Sequence, residues 1–354
     1  MSERRCMFCG LPFTGQKHNF EHVISDWLVK EADLKWRTSA VDLPSKKFDA
    51  AMNRIGGRVC EACNSTSSDL EGRARTAYAK LRDGEQLLEA DGEALLDWLD
   101  KVRVGMWLWT VDVSKNDYGV DPKFRINERT AHKDRLLLAA KYAPDQAGKG
   151  LGIWGATEHF VWSPSCLGLF VNNIVLLSIS TNFLVARHLV NLDIKQRVDY
   201  GGDANVDIDL GTHPGPRLEF FAAPLILGQV ILPVDMFTEL GLEMARNSPR
   251  HAGWGEGPIL RLNGKLQEIG RLPTVLPLFT GKIDAHMLLM EMYLDKANKY
   301  LIEDVLSADL SQAGDAESQQ TMRAQYEEYL LRTQADLDQF AARYQALTGL
   351  RLST

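Results

Sequence analysis

The chain has 354 residues, of which 45% are hydrophobic, 25% charged and 8% aromatic; this is the make-up of a folded protein with length for two domains, and it rules out a largely disordered chain. The net charge of −7 is uneven: residues 1–84 carry 14 Lys and Arg against 11 Asp and Glu, while the remaining 270 carry a net −10. No apolar stretch approaches the ~18–20 residues of a membrane helix, and Met1–Gly10 lacks the apolar centre of a secretion signal. The expectation is a soluble, cytoplasmic protein with no membrane partner.

Four of the five cysteines form two Cys-x-x-Cys pairs, Cys6/Cys9 and Cys60/Cys63, with 50 residues between them. A reducing compartment disfavours disulfides, whereas this spacing lets two thiolates of one knuckle reach a Zn²⁺ ion at ~2.3 Å. Gly10 and Asn64, each directly after a pair, tolerate a turned backbone. Four protein ligands leave no open position, so the zinc is expected to be structural. Cys166 stands alone in an apolar stretch and reads as a small buried hydrophobe.

Between the pairs lies Asn19–Trp27, which contains Glu21-His22-Val23-Ile24; Asn64 follows the fourth cysteine, and a helix-like run covers Ser68–Arg82. Through these residues the segment resembles the HNH endonucleases, the zinc-braced branch of the ββα-metal nucleases, over roughly residues 3–82. The resemblance implies a treble-clef ββα-metal head. Glu21 and Asn64 would ligate a catalytic Mg²⁺ or Mn²⁺, His22 would be the general base, and Asn53 would hold the catalytic loop through backbone hydrogen bonds. Ser25 stands where the family often has Pro.

The chemistry agrees with the spacing. Phosphodiester hydrolysis needs a deprotonated water and a cation to offset charge building on the phosphate. Histidine takes a water proton near neutrality, and neighbouring side chains on a strand face opposite ways, so Glu21 and His22 can serve different partners. Arg54, Arg58, Arg73 and Arg75 are candidate phosphate contacts. Glu71 is either a supplementary metal-site residue or a solvated or salt-bridged surface acid. His18, which lacks an adjacent carboxylate, reads as a loop histidine.

Beyond residue 84, with 84–92 as a linker, Asp91 reads as the N-cap of a helix carrying Leu95, Leu99, Val102 and Met106, and Trp107 and Trp109 extend its core face. His132–Tyr142 reads as a second helix. Residues 150–235 read as an antiparallel sheet of four to six strands, with runs at Ile153–Trp162, Leu167–Ser180, Val206–Leu210 and Arg217–Val234. Helical spacing returns over Ile283–Leu306. Ser318–Leu347 is a long amphipathic helix stopped by Gly349, its stripe facing either its own domain or another subunit. The segment 147–152 reads as a turn. His132, His159, His188, His213, His251 and His286 lack ligand spacing.

The expected fold class is therefore α+β, with an HNH nuclease domain at 1–84 and a larger α+β regulatory, recognition or assembly domain at 85–354. The expected activity is metal-dependent cleavage of DNA, the substrate the resemblance implies; the residues themselves do not exclude RNA. Restriction or anti-phage defence is a setting implied by analogy. A small-molecule or protein activator of the C-terminal domain, or a homo-oligomer, would fit this layout. The alternative is a non-catalytic zinc-ribbon protein that binds nucleic acid.

Overall fold

The computed structural model describes residues 5–180 apart from short gaps (16, 35–37, 44–45, 118, 130–134, 144–149, 155–159, 161–163 and 165), the segments 192–198, 204–210, 225–229 and 259–262, scattered positions from 265 to 306, and 315–352. The fold is α+β and its sheets are mainly antiparallel. The chain divides into two compact units, one of 1–183, 196–206 and 223–279, the other of 184–195, 207–222 and 280–354. Among the described residues no helix is long and apolar enough to cross a membrane.

The first unit begins with strand β1 (His18–His22), helix α1 (Asp26–Glu31) and the hairpin of β2 (Thr38–Leu43) and β3 (Lys46–Ala51). Strand β4 (Gly56–Cys60) then returns antiparallel to β1, with Glu21 opposite Gly57 and His22 opposite Gly56. The strands lie close. A Cβ on Gly56 would stand 2.2 Å from the Glu21 carbonyl oxygen and 2.8 Å from the Phe20 ring, so only glycine fits there. Helix α2 (Glu61–Asp83) follows β4 without a break and ends on Gly84, whose positive φ of 72° closes the last turn. It starts seven residues earlier than the apolar spacing predicts, because Cys60 is its N-cap.

Only 84–88 separate α2 from α3 (Glu89–Val113), so the expected linker at 84–92 is shortened at its end, where 89–92 are already helix. Asp91 caps from inside the first turn, its carboxylate accepting from the Leu88 N–H at 2.8 Å. Every residue of α3 from Ala94 to Val111 is buried. Trp107 and Trp109 are core residues; Trp107 packs on Phe124 with ring centroids 5.0 Å apart. The short helix α4 (Ile126–Arg129) follows.

The expected helix at His132–Tyr142 is strand β5 over Arg135–Tyr142. Its run Leu136–Ala140 is buried throughout; a run with no polar face satisfies helical spacing by default, and burial on both faces of a sheet suits it equally. The remaining strands are β6 (Leu151–Trp154), β7 (Cys166–Val171), β8 (Ile174–Ser180), β9 (Leu192–Val198), β10 (Ala204–Leu210), β11 (Leu225–Gln229), β12 (Ile259–Leu262), β13 (Lys265–Gln267) and β14 (Leu278–Phe279). Seven of them join β5 in one eight-stranded sheet in the order β13-β12-β11-β5-β8-β7-β6, with β14 parallel to β5, while β9 and β10 pair separately. This exceeds the expected four to six strands because β5 precedes residue 150 and β12–β14 lie past residue 235. The β7–β8 hairpin turns at Asn172-Asn173, as the sequence predicts, with Asn172 at a φ of 54°. The rest of the runs expected at 153–162 and 217–234, the turn at 147–152 and all six scattered histidines lie largely or wholly outside the described residues.

In the second unit, the described residues from 284 to 306 are mostly helical. The C-terminal helix spans Ala316–Thr348, capped by Asp315, whose carboxylate accepts from the Ser318 N–H at 2.8 Å, and closed by Gly349 at a φ of 77°. Leu337 of its stripe is fully buried against Leu289 and Met292, with Phe340 and Tyr344 beside it. That part of the stripe faces its own unit.

Candidate metal centre and the adjoining Glu21–His22 strand

The first cysteine knuckle is a tight loop: the Cys6 N–H donates to the Leu11 carbonyl and the Gly10 N–H to the Cys6 carbonyl, both at 2.9 Å, with Gly10 at a φ of 71°. The Met7 N–H donates to the Arg58 carbonyl at 3.0 Å, which ties the loop to β4. The second knuckle is built differently. Cys60 ends β4 and caps α2, and Cys63 lies in the first turn, so Asn64 is helical and supplies no special turn.

The four sulfurs lie within 4.8 Å of one another, and those of Cys6 and Cys60 are 3.9 Å apart. A tetrahedral ion with bonds of about 2.3 Å would set sulfurs about 3.8 Å apart, so Cys6, Cys9, Cys60 and Cys63 can hold one zinc ion. The Cys60 N–H donates to Cys6 Sγ at 3.4 Å and Asn127 Nδ2 to Cys63 Sγ at 3.5 Å. Burial pushes the Cys9 and Cys63 thiols up, and the neighbouring sulfurs add to this. Cys6 is desolvated too, but hydrogen bonds from the Cys9, Cys60 and Phe8 backbone bring it net down. Thiols packed this closely need a cation to become four thiolates. Cys166 is fully buried in β7, its thiol pushed up to about 12 by burial.

Glu21 faces α2. Its Oε1 accepts from Ser67 Oγ at 2.7 Å and from Lys101 Nζ at 2.9 Å. Ser67 follows Asn64 by three residues, so the two share a helix face. His22 is half-buried, its ring edge-on to Phe20 with centroids 5.4 Å apart. One residue on, the Val23 N–H donates to the Ile55 carbonyl at 2.9 Å, which stitches the strand to the turn carrying Asn53 and Arg54, both exposed. His18 begins β1 rather than a loop, and its Nε2 lies 2.6 Å from the Arg58 guanidinium. Arg73 and Arg75 are exposed on α2, further along the helix from the cysteine cluster than Asn64.

Glu71 is salt-bridged, as one of its two sequence readings has it, and its side chain is 21% exposed. Its Oε1 accepts from Ser25 Oγ at 2.6 Å and also pairs with Lys101, whose side chain is 1% exposed. Ser25 in turn accepts from Trp98 Nε1 at 2.9 Å, so Ser25 closes a chain of polar contacts running from Trp98 to Glu71 and Lys101. Lys101, Ser67 and Asn127 are not found by motif reading. Lys101 is one of several charges in the stretch Asp97–Arg103 of α3, so nothing in the sequence singles it out, and Ser67 and Asn127 carry no signal either.

Comparison with known protein families, with curated proteins and with solved structures finds no match. The site therefore carries the functional argument by its own chemistry.

Proposed function

We propose that the chain is a metal-dependent HNH-type endonuclease acting on DNA, with a structural zinc at the four cysteines and control or targeting assigned to the rest of the chain. The observation that carries this reading is the Glu21 carboxylate on the face of α2 that bears Asn64, next to His22 and beside a four-cysteine cluster that ties strand to helix. The donor set suits a hard divalent cation, a carboxylate and an amide oxygen. The charged groups in contact, Glu21, Glu71 and Lys101, sum to −1, which leaves a cation one charge to offset.

In this reading His22 takes the proton of the attacking water, and Arg54, Arg58, Arg73 and Arg75 hold the phosphate backbone. A Mg²⁺ or Mn²⁺ ion bound by Glu21 and Asn64 would supply charge neutralisation at the phosphate. Asn53 keeps the loop that follows β3 in place. The second reading, a zinc-ribbon protein that binds without cutting, draws on one observation, an internal ammonium already held by Glu21.

The test is plasmid cleavage by the wild type and by His22→Ala, with Mg²⁺, Mn²⁺ or EDTA. Metal-dependent nicking lost in the variant supports the nuclease. DNA binding by both proteins with cleavage by neither favours the zinc ribbon.

A further inference from the structure

Lys101 enters the site from α3, outside the strand–strand–helix unit. Its ammonium has three N–H donors, and all three are used: on Glu21 Oε1 at 2.9 Å, on the His22 carbonyl oxygen at 2.9 Å, and on Glu71 Oε1. Burying a lysine costs free energy unless it is paired and fully hydrogen-bonded; an apolar residue like the neighbouring Val102 would fill the position at lower cost. The arrangement is also directional. With Ser67 and Lys101 both on Oε1, that oxygen is saturated and the carboxylate cannot rotate. Oε2 is left as the oxygen for another partner.

We propose that Lys101 is a positioning residue: it locks Glu21 so that Oε2 meets a divalent cation, and it pins the His22 peptide so that the imidazole leaves the opposite side of the strand. The inference rests on the reading of Glu21 as a metal ligand. Glu71 completes the device. Its carboxylate offsets the ammonium charge, so that Lys101 holds Glu21 without repelling the incoming ion. Lys101 touches neither the ion nor the water, and acts through Glu21 and His22.

The experiment is Mn²⁺ binding to the full chain, followed by electron paramagnetic resonance, for the wild type, Glu21→Gln, Lys101→Met and the double variant Lys101→Met/Glu71→Gln. Zinc content and melting temperature are measured alongside. Removing a partner that orients a metal ligand weakens binding by about 10- to 100-fold, and that loss is expected in Lys101→Met with zinc retained. The double variant removes the buried ammonium together with one carboxylate, so it keeps the net charge of the cluster and reads the same role without two unpaired buried carboxylates; the same weakening is expected. Wild-type Mn²⁺ affinity in the double variant, with weak binding by Glu21→Gln, would overturn the role of Lys101 and leave the nuclease reading standing. Equal binding by the wild type and Glu21→Gln would remove Glu21 as a ligand, and both readings would fall.

Discussion

Arg135 opens strand β5 with its guanidinium 1% exposed, paired with Asp97 and with Asp100 Oδ2 at 3.4 Å. Asp100 is also held by Arg103, whose guanidinium donates to the Pro164 carbonyl at 3.0 Å. Burial alone would pull the Arg135 pKa down, but the two aspartates outweigh it and the net direction is up. The four charges sum to zero inside the core. Arg135→Met keeps most of the buried stem but takes the guanidinium away from both aspartates. Breaking a buried pair from one side costs about 3–5 kcal/mol. At about 2–4 °C per kcal/mol for a large domain, the melting temperature should fall by about 6–20 °C. Arg135→Met/Asp97→Asn restores neutrality and should recover most of the loss. Calorimetric melts of the three proteins decide it. A single variant within about 2 °C of wild type, or a double variant no better than the single, would refute the reasoning.

Three other perturbations have definite outcomes. Cys60→Ser removes a zinc ligand while leaving an N-cap residue at the start of α2, so elemental analysis should show zinc lost and proteolysis should open the first knuckle; full zinc content would count against the four-cysteine centre. Gly56→Ala forces a Cβ against the Glu21 carbonyl and should cost about 1–3 kcal/mol in a denaturant melt, an unchanged midpoint arguing that β1 and β4 are further apart. Asp295 in the second unit is raised to about 7, first by burial and then by Asp336 and Glu291. A folded pKa above the unfolded value of about 3.9 stabilises below that value and is lost as pH rises through about 7. The second unit should therefore melt higher at pH 5 than at pH 8, and Asp295→Asn should flatten that difference; an unaltered slope would exclude Asp295 as its source.

The parts legible in the sequence are those written in short-range code. Two Cys-x-x-Cys spacings were enough to bring four sulfurs to one point, and Gly349 marks the end of the C-terminal helix by a cap that depends on neighbouring residues alone, whereas the start, read at Ser318, lies at Ala316 behind the Asp315 cap. Strand β5 was misread because Leu136–Ala140 carries no polar face from which a period could be taken. Asn64 was misread as a turn residue because the spacing of a knuckle does not distinguish a loop from a helix N-terminus. The role of Lys101 depends on α3 crossing behind β1, and contact between residues 80 apart is set by packing rather than by motif.

Helix α3 is buried from Ala94 to Val111 because it serves two neighbours at once: Lys101 reaches β1 and α2, while Asp97 and Asp100 reach β5. A component shared in this way resists exchange. A chimera that imported residues 1–84 into another protein would separate Glu21 from its ammonium, and one that ended at Val113 would strand two aspartates from Arg135. The strand bearing Glu21 and His22, the helix behind it and the sheet beyond are thus constrained to be inherited together, and substitutions in any one of them are filtered through the other two.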